Sequence, residues 1–585
     1  MRTATVGERG LLERCVAFVL SARGVWLVVG LALVLALPSL SIGLNTDDRV
    51  FAYNAEHGTG ALDLFSVTRA EVARARSRGS LAWWSTPTLE LSFFRPLSSL
   101  LHTLEFRHHV APWAMHALNV LLYMWLVAVV WHLYRTLLPR AERSAAVAAL
   151  LFAIDDGHAP TVGWISGRNT LLASVLGLTA LLLHIRARLP LMAATRRGLA
   201  HRFASAGLFA LALMSAEAGV GVLGYMFAYA AIFEAGSWGR RLRSLWLQLL
   251  VVVAWLCVYR AGAYGVHGSS LYRDLNAPWL ALREGLLDVP AWLTSLLGPS
   301  LMGSGMLFHP QPLRVVTLLL CVPLVLAVYA ALPRTRETLF FASGALLSIV
   351  PLFTTLPQDR LLIVGSFGGF GVIASFFAAT QADPRRGVRV ARRILIGIHV
   401  CLSPLLFVVS LNQASPIDNG SRDLVAALPA RVPAEVIVVN VPIELVTLYG
   451  WTLLREDSAH TPPRVLQSLY AGASELVVER TASDTLEVRA ARGWGSQPIE
   501  RVFGSEAALP RVGTTLQVGA LSIQPLESDA AGRPTRVQFR FASALEAPER
   551  LWLAWNGRKP QPWRPPALGE RVTLPGLGMV TSLRP

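Results

Sequence analysis

GVWLVVGLALVLALPSLSIGL, Gly24 to Leu44, runs without a charged residue and then meets NTDDRVF, Asn45 to Phe51. A bilayer's hydrocarbon core of about 30 Å takes about 20 apolar residues per helix. The stretch therefore reads as a membrane span that carries Asp47 and Asp48 to the membrane surface. Its apolar run exceeds the roughly 7 to 15 residues of a signal peptide, which predicts a retained anchor.

Outward from this span, the same reading finds about eleven apolar runs, at approximately 24–44, 114–134, 144–155, 170–186, 203–216, 218–234, 245–262, 313–333, 338–354, 361–380 and 394–412. The third and fifth are short. With 53% hydrophobic and 15% charged residues, against roughly 25% charged in soluble domains, the composition excludes an ordinary soluble protein. The formal net charge of +16 would suggest nucleic acid in a soluble chain. Here the arginines lie between spans, at Arg2 to Arg23, Arg135 to Arg143, Arg186 to Arg202, Arg240 to Arg243, Arg334/Arg336 and Arg385 to Arg393. Those segments alternate along the chain, so the positive-inside rule explains the excess without a nucleic acid. The N-terminus is then cytoplasmic and the tail extracytoplasmic. Cys15, Cys257, Cys321 and Cys401 form no disulfide framework or metal-ligand spacing.

The expected fold is a polytopic α-helical membrane protein with a C-terminal, extracytoplasmic, mainly β (α+β) domain. Its expected parts are a cytoplasmic segment 1–23, a transmembrane domain 24–412 with a large first external loop 45–113, a linker 413–429 and a β-rich domain 430–585. In the tail, EVIVVNV, ELVVER, TLEVRAA, TLQVGALSIQPL, RVQFRFASA, LWLAW and ERVTLPG read as strands. Glu444 to Leu454 and Arg464 to Tyr470 read as more helical. Trp494, Trp552, Trp555 and Trp563 suit either a carbohydrate-stacking surface or, more commonly, a β core.

Function is sought in the external loops. Adjacent carboxylates repel, which equips one of Asp47 and Asp48 as a general base; helix capping is the plain alternative. Arg95, in FFRPLSSLLHTLEF, suits bidentate phosphate binding, or simple snorkelling at the interface. The turn FAIDDGHAPTVGWISGRNTLL packs Asp155, Asp156, His158, Trp164, Arg168 and Asn169 together. Such a set suits acid/base groups beside a phosphate clamp, or a hairpin that caps two helices. Its DDxH spacing gives no strong metal signal, so no metal site is assigned and the cofactor stays unknown. Tyr264 and His267, in RAGAYGVHGSSLYRDLNAPW, suit a sugar or headgroup pocket or an interfacial aromatic belt. About Leu282 to Phe308 reads as an interfacial amphipathic stretch.

These pieces resemble, in order, the GT-C superfamily of polytopic, polyprenyl-phosphate-sugar-dependent glycosyltransferases, and most closely the bacterial relatives of the transmembrane TPR-containing O-mannosyltransferases. The matching segments are the acidic pair Asp47/Asp48, FRPLSSLLHTLE leading to HALNVLLY (His116 to Tyr123), HAPTVGWISGRNTLLA (His158 to Ala173), LALMSAEAG (Leu211 to Gly219) and PQDRLLIVGSFG (Pro357 to Gly368). The resemblance implies a bacterial inner-membrane enzyme moving a sugar from a polyprenyl-phosphate carrier to a glycan, lipid or protein acceptor by inverting displacement. It implies Asp47 or Asp48 as base, Asp155, Asp156 and His158 as a second acidic site, and Arg168, Arg360 and Arg95 as neutralisers of the carrier phosphate. Where the family often has a Lys-Glu pair, this chain has Ala216-Glu217. The tail is β-rich where the eukaryotic members have helical repeats. Two other classes stay open: a non-catalytic receptor or envelope assembly factor acting through the external β domain, and a lipid-linked glycan transporter. Spans nearly devoid of Asp, Glu, Lys and Arg argue against the transporter.

Overall fold

The computed structural model describes residues 21, 23–58, 60–273, 277–298, 310–456 and 461–577. The expected N-terminal segment 1–23 lies almost wholly outside the described residues, as does part of 282–308. The chain divides into two compact units. One comprises Met1–Gly43, Phe94–Ala263 and Pro278–Gln413; the other comprises Leu44–Phe93, Tyr264–Ala277 and Ala414–Pro585.

The first unit is helical. Helices form at each of the eleven apolar stretches, and six of the described helical segments, Gly24–Ser41, Pro112–Leu137, Arg168–Arg186, Gln311–Ala331, Arg336–Thr354 and Arg386–Ala426, are long and apolar enough to cross a membrane. Three more, Glu217–Ile232, Trp246–Ala261 and Ile363–Ala379, are shorter but apolar. Local signals set several starts. Pro112 opens its helix where an N–H would be unpaired anyway. Thr195 accepts from Gly198 N at 3.0 Å, and Thr335 and Thr338 cap one another. Arg168–Arg186 is buried along nearly its whole length. By contrast, Gln311–Ala331 exposes Val315, Leu319, Leu320 and Leu326, a surface suited to lipid and not to water.

The helices pack closely at glycine. A Cβ on Gly163 would lie 1.9 Å from the carbonyl oxygen of Leu411. Overpacking of this kind costs about 1–3 kcal/mol or more. Gly163→Ala is therefore expected to lower the thermal unfolding temperature of the detergent-solubilised protein; an unchanged temperature would contradict the close approach.

The second unit is built on β-sheet. Strands β1 (Ser66–Val67), β2 (Glu90–Ser92) and β3 (Gly265–His267) form a small antiparallel sheet. The tail holds two larger sheets. Strands β4 (Glu435–Val441), β5 (Val465–Ala471), β11 (Arg550–Trp555) and β12 (Pro560–Pro562) are ordered β12-β11-β4-β5, with β11, β4 and β5 mutually parallel. Strands β6 (Leu476–Ala482), β7 (Thr485–Ala490), β8 (Leu516–Val518), β9 (Leu521–Ser528), β10 (Pro534–Arg540) and β13 (Arg571–Leu574) form an antiparallel sheet ordered β13-β6-β7-β10-β9-β8. All seven expected strand segments carry strands. Arg464 to Tyr470 does not form the expected helix. It is β5, because parallel pairing with a β4 buried at every position rewards a continuous buried run. The helix Leu445–Glu456 makes the β4-to-β5 crossover.

Two boundaries differ from expectation. The stretch expected as a linker, 413–429, contains the helix Ser415–Ala426, whose inward face buries Asp418, Gly420, Ser421 and Leu424. Residues 44–93 of the first external loop belong with the tail. Trp83 and Trp84 explain this: their indoles donate to Leu469 O at 3.0 Å and Glu500 O at 2.9 Å. Trp494, Trp552 and Trp555 are buried core residues, and half-buried Trp563 rests on Trp552.

Burial also shapes the tail's charge. Desolvation raises Glu444 to about 8 and Glu500 to about 7, each from an ordinary value of 4.5. A carboxyl that stays protonated in the folded state but ionises in the unfolded one favours folding below about pH 4.5, and that advantage is lost as pH rises towards 8. Amide exchange of β4 and β5, corrected for intrinsic rate, is expected to show protection falling between about pH 5 and 8. Glu444→Gln should flatten most of that slope; a slope unchanged by the substitution would refute the assignment.

Candidate active site

In the first unit, four of the motif segments are joined by side-chain contacts. FRPLSSLLHTLE forms the helix Pro96–Arg107, and LALMSAEAG ends the helix Arg196–Leu213. Arg95 binds Glu217 through Nη2 at 2.7 Å and Nε at 2.8 Å, while Ser98 Oγ donates to Ser215 O at 2.9 Å. Glu217 is thus an ion-pair partner of Arg95 rather than a bare turn residue.

Arg168 is the second junction. It opens the helix Arg168–Arg186 and is 1% exposed. Its guanidinium contacts Glu105, Asn119 Oδ1 and, at 2.7 Å, Met115 O. Asn119 Nδ2 in turn donates to Val162 O at 3.1 Å, and His116 Nε2 lies 3.0 Å from Gly43 O. Burial pushes the Glu105 carboxyl up, but His102 and Arg168 outweigh it and hold the group below its ordinary value. Buried against three acceptors, Arg168 ties helices of this unit together. Asn169 beside it is buried too and accepts from Thr170 Oγ1 at 3.0 Å.

The third junction joins the acidic turn to PQDRLLIVGSFG. His158 Nε2 lies 2.9 Å from Ser366 Oγ and 3.3 Å from Asp155 Oδ2, and its Nδ1 is 3.3 Å from the Tyr123 hydroxyl. Burial lowers His158 to about 3, so the ring is neutral at pH 7. Asp155 lies close to Asp156 and Asp359. With the ring neutral, His158 does not form an ion pair with Asp155. Asp156 accepts from Ser403 Oγ and, through its own N–H, donates to that oxygen at 3.1 Å. Arg360 stands half-buried, its Cζ 4.7 Å from the centre of the Trp164 ring and its Nε donating to Gln358 Oε1 at 3.0 Å. This corner therefore gathers Asp155, Asp359, Arg360 and Trp164. Among the described residues, no group of three His, Cys, Asp or Glu is placed to hold a metal ion.

The chain is similar in structure to ArnT from Cupriavidus metallidurans bound to undecaprenyl phosphate, with 13% identity and a TM-score of 0.34 over 77% of this chain and 90% of that one. The apo state of the same protein gives a TM-score of 0.36 at the same identity and coverage. The mycobacterial arabinofuranosyltransferase AftD gives 16% identity and a TM-score of 0.33, over 89% of this chain and 40% of that one. No family model matches the chain, and no curated protein matches it.

In the second unit, the two aspartates after the first span have different surroundings. Both begin the helix Asp47–His57. Asp48 is fully buried, and its Oδ2 accepts from Asn45 N at 3.1 Å, so it closes the turn that leads into the helix. Asp47 is half-buried and accepts from the Tyr449 hydroxyl. Before them, Thr46 has φ 41° and ψ −119°, a conformation that costs a residue with a β-branched side chain about 1–3 kcal/mol. Arg49 anchors the helix, bonding Asp418 at 3.3 Å, Glu456 at 2.7 Å and Leu44 O at 2.8 Å. Tyr264 and His267 border or lie on β3, where His267 pairs with Glu90 of β2. Burial, then the charge of Asp63, raises the Tyr264 phenol.

Sequence reasoning passed over Glu105 and Asp359, although both sit inside quoted motifs. It had no signal for Tyr449, Arg49, Asp418 or Glu456, which are brought together by folding across most of the chain's length.

Proposed function

We propose that the chain is a GT-C-type membrane glycosyltransferase that moves a sugar from a polyprenyl-phosphate carrier to an acceptor on the extracytoplasmic face of a bacterial inner membrane. The observation that supports this most directly is the convergence of four separated motif segments on shared polar junctions in the helical unit. Asp47 is the base: it takes the proton of an acceptor hydroxyl as that oxygen attacks the anomeric carbon. The bond from that carbon to the phosphate oxygen breaks, and the carrier phosphate leaves with the electron pair, inverting the centre. Arg360, fixed over Trp164 in a poorly solvated corner, stabilises the charge that grows on the phosphate. Asp155 stands in the same corner as part of the second acidic group. Arg95 and Arg168 tie together helices of the first unit. In this reading all eleven helical stretches cross the membrane, with the N-terminus inside and the tail outside.

The test is native mass spectrometry of the detergent-purified protein beside Arg360→Ala. A polyprenyl phosphate, with or without its sugar, is expected on the wild type and at least tenfold depleted from the variant. Absence from the wild type, or binding indifferent to Arg360, would overturn the assignment. A second reading, a non-catalytic receptor in the same frame, draws on the burial of Asp156 and His158 in internal hydrogen bonds. It predicts that the loop carboxylates are dispensable while the tail is not.

A further inference from the structure

We infer that Tyr449, on the helix Leu445–Glu456, is a positioning residue for Asp47, making the β-rich tail the support of the proposed base. The inference rests on the glycosyltransferase reading only in giving Asp47 a chemical role.

Three observations converge. The Tyr449 side chain is 4% exposed and its hydroxyl donates to Asp47 Oδ1. The same helix grips the segment again further along, since Glu456 binds Arg49 and the Arg455 guanidinium lies 4.1 Å over the Tyr53 ring. Asp418, from the helix Ser415–Ala426, holds Arg49 from another side. The turn Asn45–Arg49, with Thr46 in an unfavourable backbone conformation, is thus fastened by two tail helices. Strain of that order persists only where the surroundings over-determine it. The support is itself stiff, because Leu445–Glu456 is the crossover between two parallel strands of the buried sheet.

A hydroxyl that donates to a carboxylate favours its charged form and fixes the direction of its oxygens. Both effects suit a base that must be ionised and aimed before an acceptor arrives. Among the described residues, the charged groups near the turn include Asp48, Arg49 and Glu56 on its own helix, Asp418 on Ser415–Ala426, and Arg455 and Glu456 beside Tyr449.

The test is carbodiimide labelling with an amine across a pH series, on full-length protein in detergent, each carboxyl being read by peptide mass spectrometry. Carbodiimides react with protonated carboxyls, so the pH of half-labelling tracks ionisation. In Tyr449→Phe, half-labelling of Asp47 is expected to move up by about one pH unit, with Asp383 and Glu546 unmoved as internal references. Replacing Tyr449 by a more acidic fluorotyrosine should move it the other way, and supplies the test should the phenylalanine variant fold poorly. An Asp47 midpoint that is indifferent to both changes overturns the inference. Failure of the wider reading is separately visible, since Asp47→Asn would then leave sugar transfer intact whatever the labelling shows.

Discussion

Asp47→Asn is expected to slow sugar transfer by roughly 10²- to 10⁴-fold, the usual loss when a positioned general base is removed, while the protein folds and still binds its carrier. Asparagine keeps the shape of aspartate and a carbonyl oxygen that can accept from Tyr449. It cannot take a proton. The measurement works whichever sugar the carrier bears. Carrier that co-purifies with the variant should retain its sugar, whereas carrier on the wild type should be largely discharged. Asp48→Ala should behave differently, costing about 1 kcal/mol of stability through the lost hydrogen bond to Asn45 and leaving the carrier discharged. A discharged carrier on Asp47→Asn would sink the mechanism.

The largest effect on stability is expected from Arg168→Ala. Removing one member of a buried ion pair costs about 3–5 kcal/mol, because the other charge is left without compensation. Here Glu105, with a side chain 10% exposed, would remain inside the helical unit beside Asn119. Thermal unfolding in detergent should show a large drop in Arg168→Ala and recovery of part of it in the pair Arg168→Met with Glu105→Leu, which removes both charges. A single variant as stable as the wild type would mean that the contacts around Arg168 carry no weight.

Much of this architecture was legible in the sequence because membranes write simple rules. Long apolar runs and arginines between them located the helices, and period-two runs such as EVIVVNV located the strands. Arg464 to Tyr470 misled because a buried parallel strand has no alternation to show. The site was legible as a set of segments but not as roles. Arg168 reads as a cation near an acidic turn; only folding sets it against Glu105, 63 residues away. Asp47 and Asp48 are equivalent on paper, and a tyrosine 402 positions from Asp47 separates them. No local pattern encodes a contact of that range.

The indoles of Trp83 and Trp84 bear on how such a chain is made. Trp83 leaves the ribosome 386 residues before the carbonyl of Leu469 that accepts its hydrogen bond. At about 5–20 residues per second, that wait lasts roughly 20 to 80 s. Throughout it two large aromatic side chains, destined for complete burial, stand without their cover. Biogenesis of this protein is therefore a holding problem as much as an insertion problem, and a chain truncated before its last segment would present sticky aromatic surface to every protease and chaperone within reach. Phenotypes of tail deletions will report on that quality control before they report on chemistry.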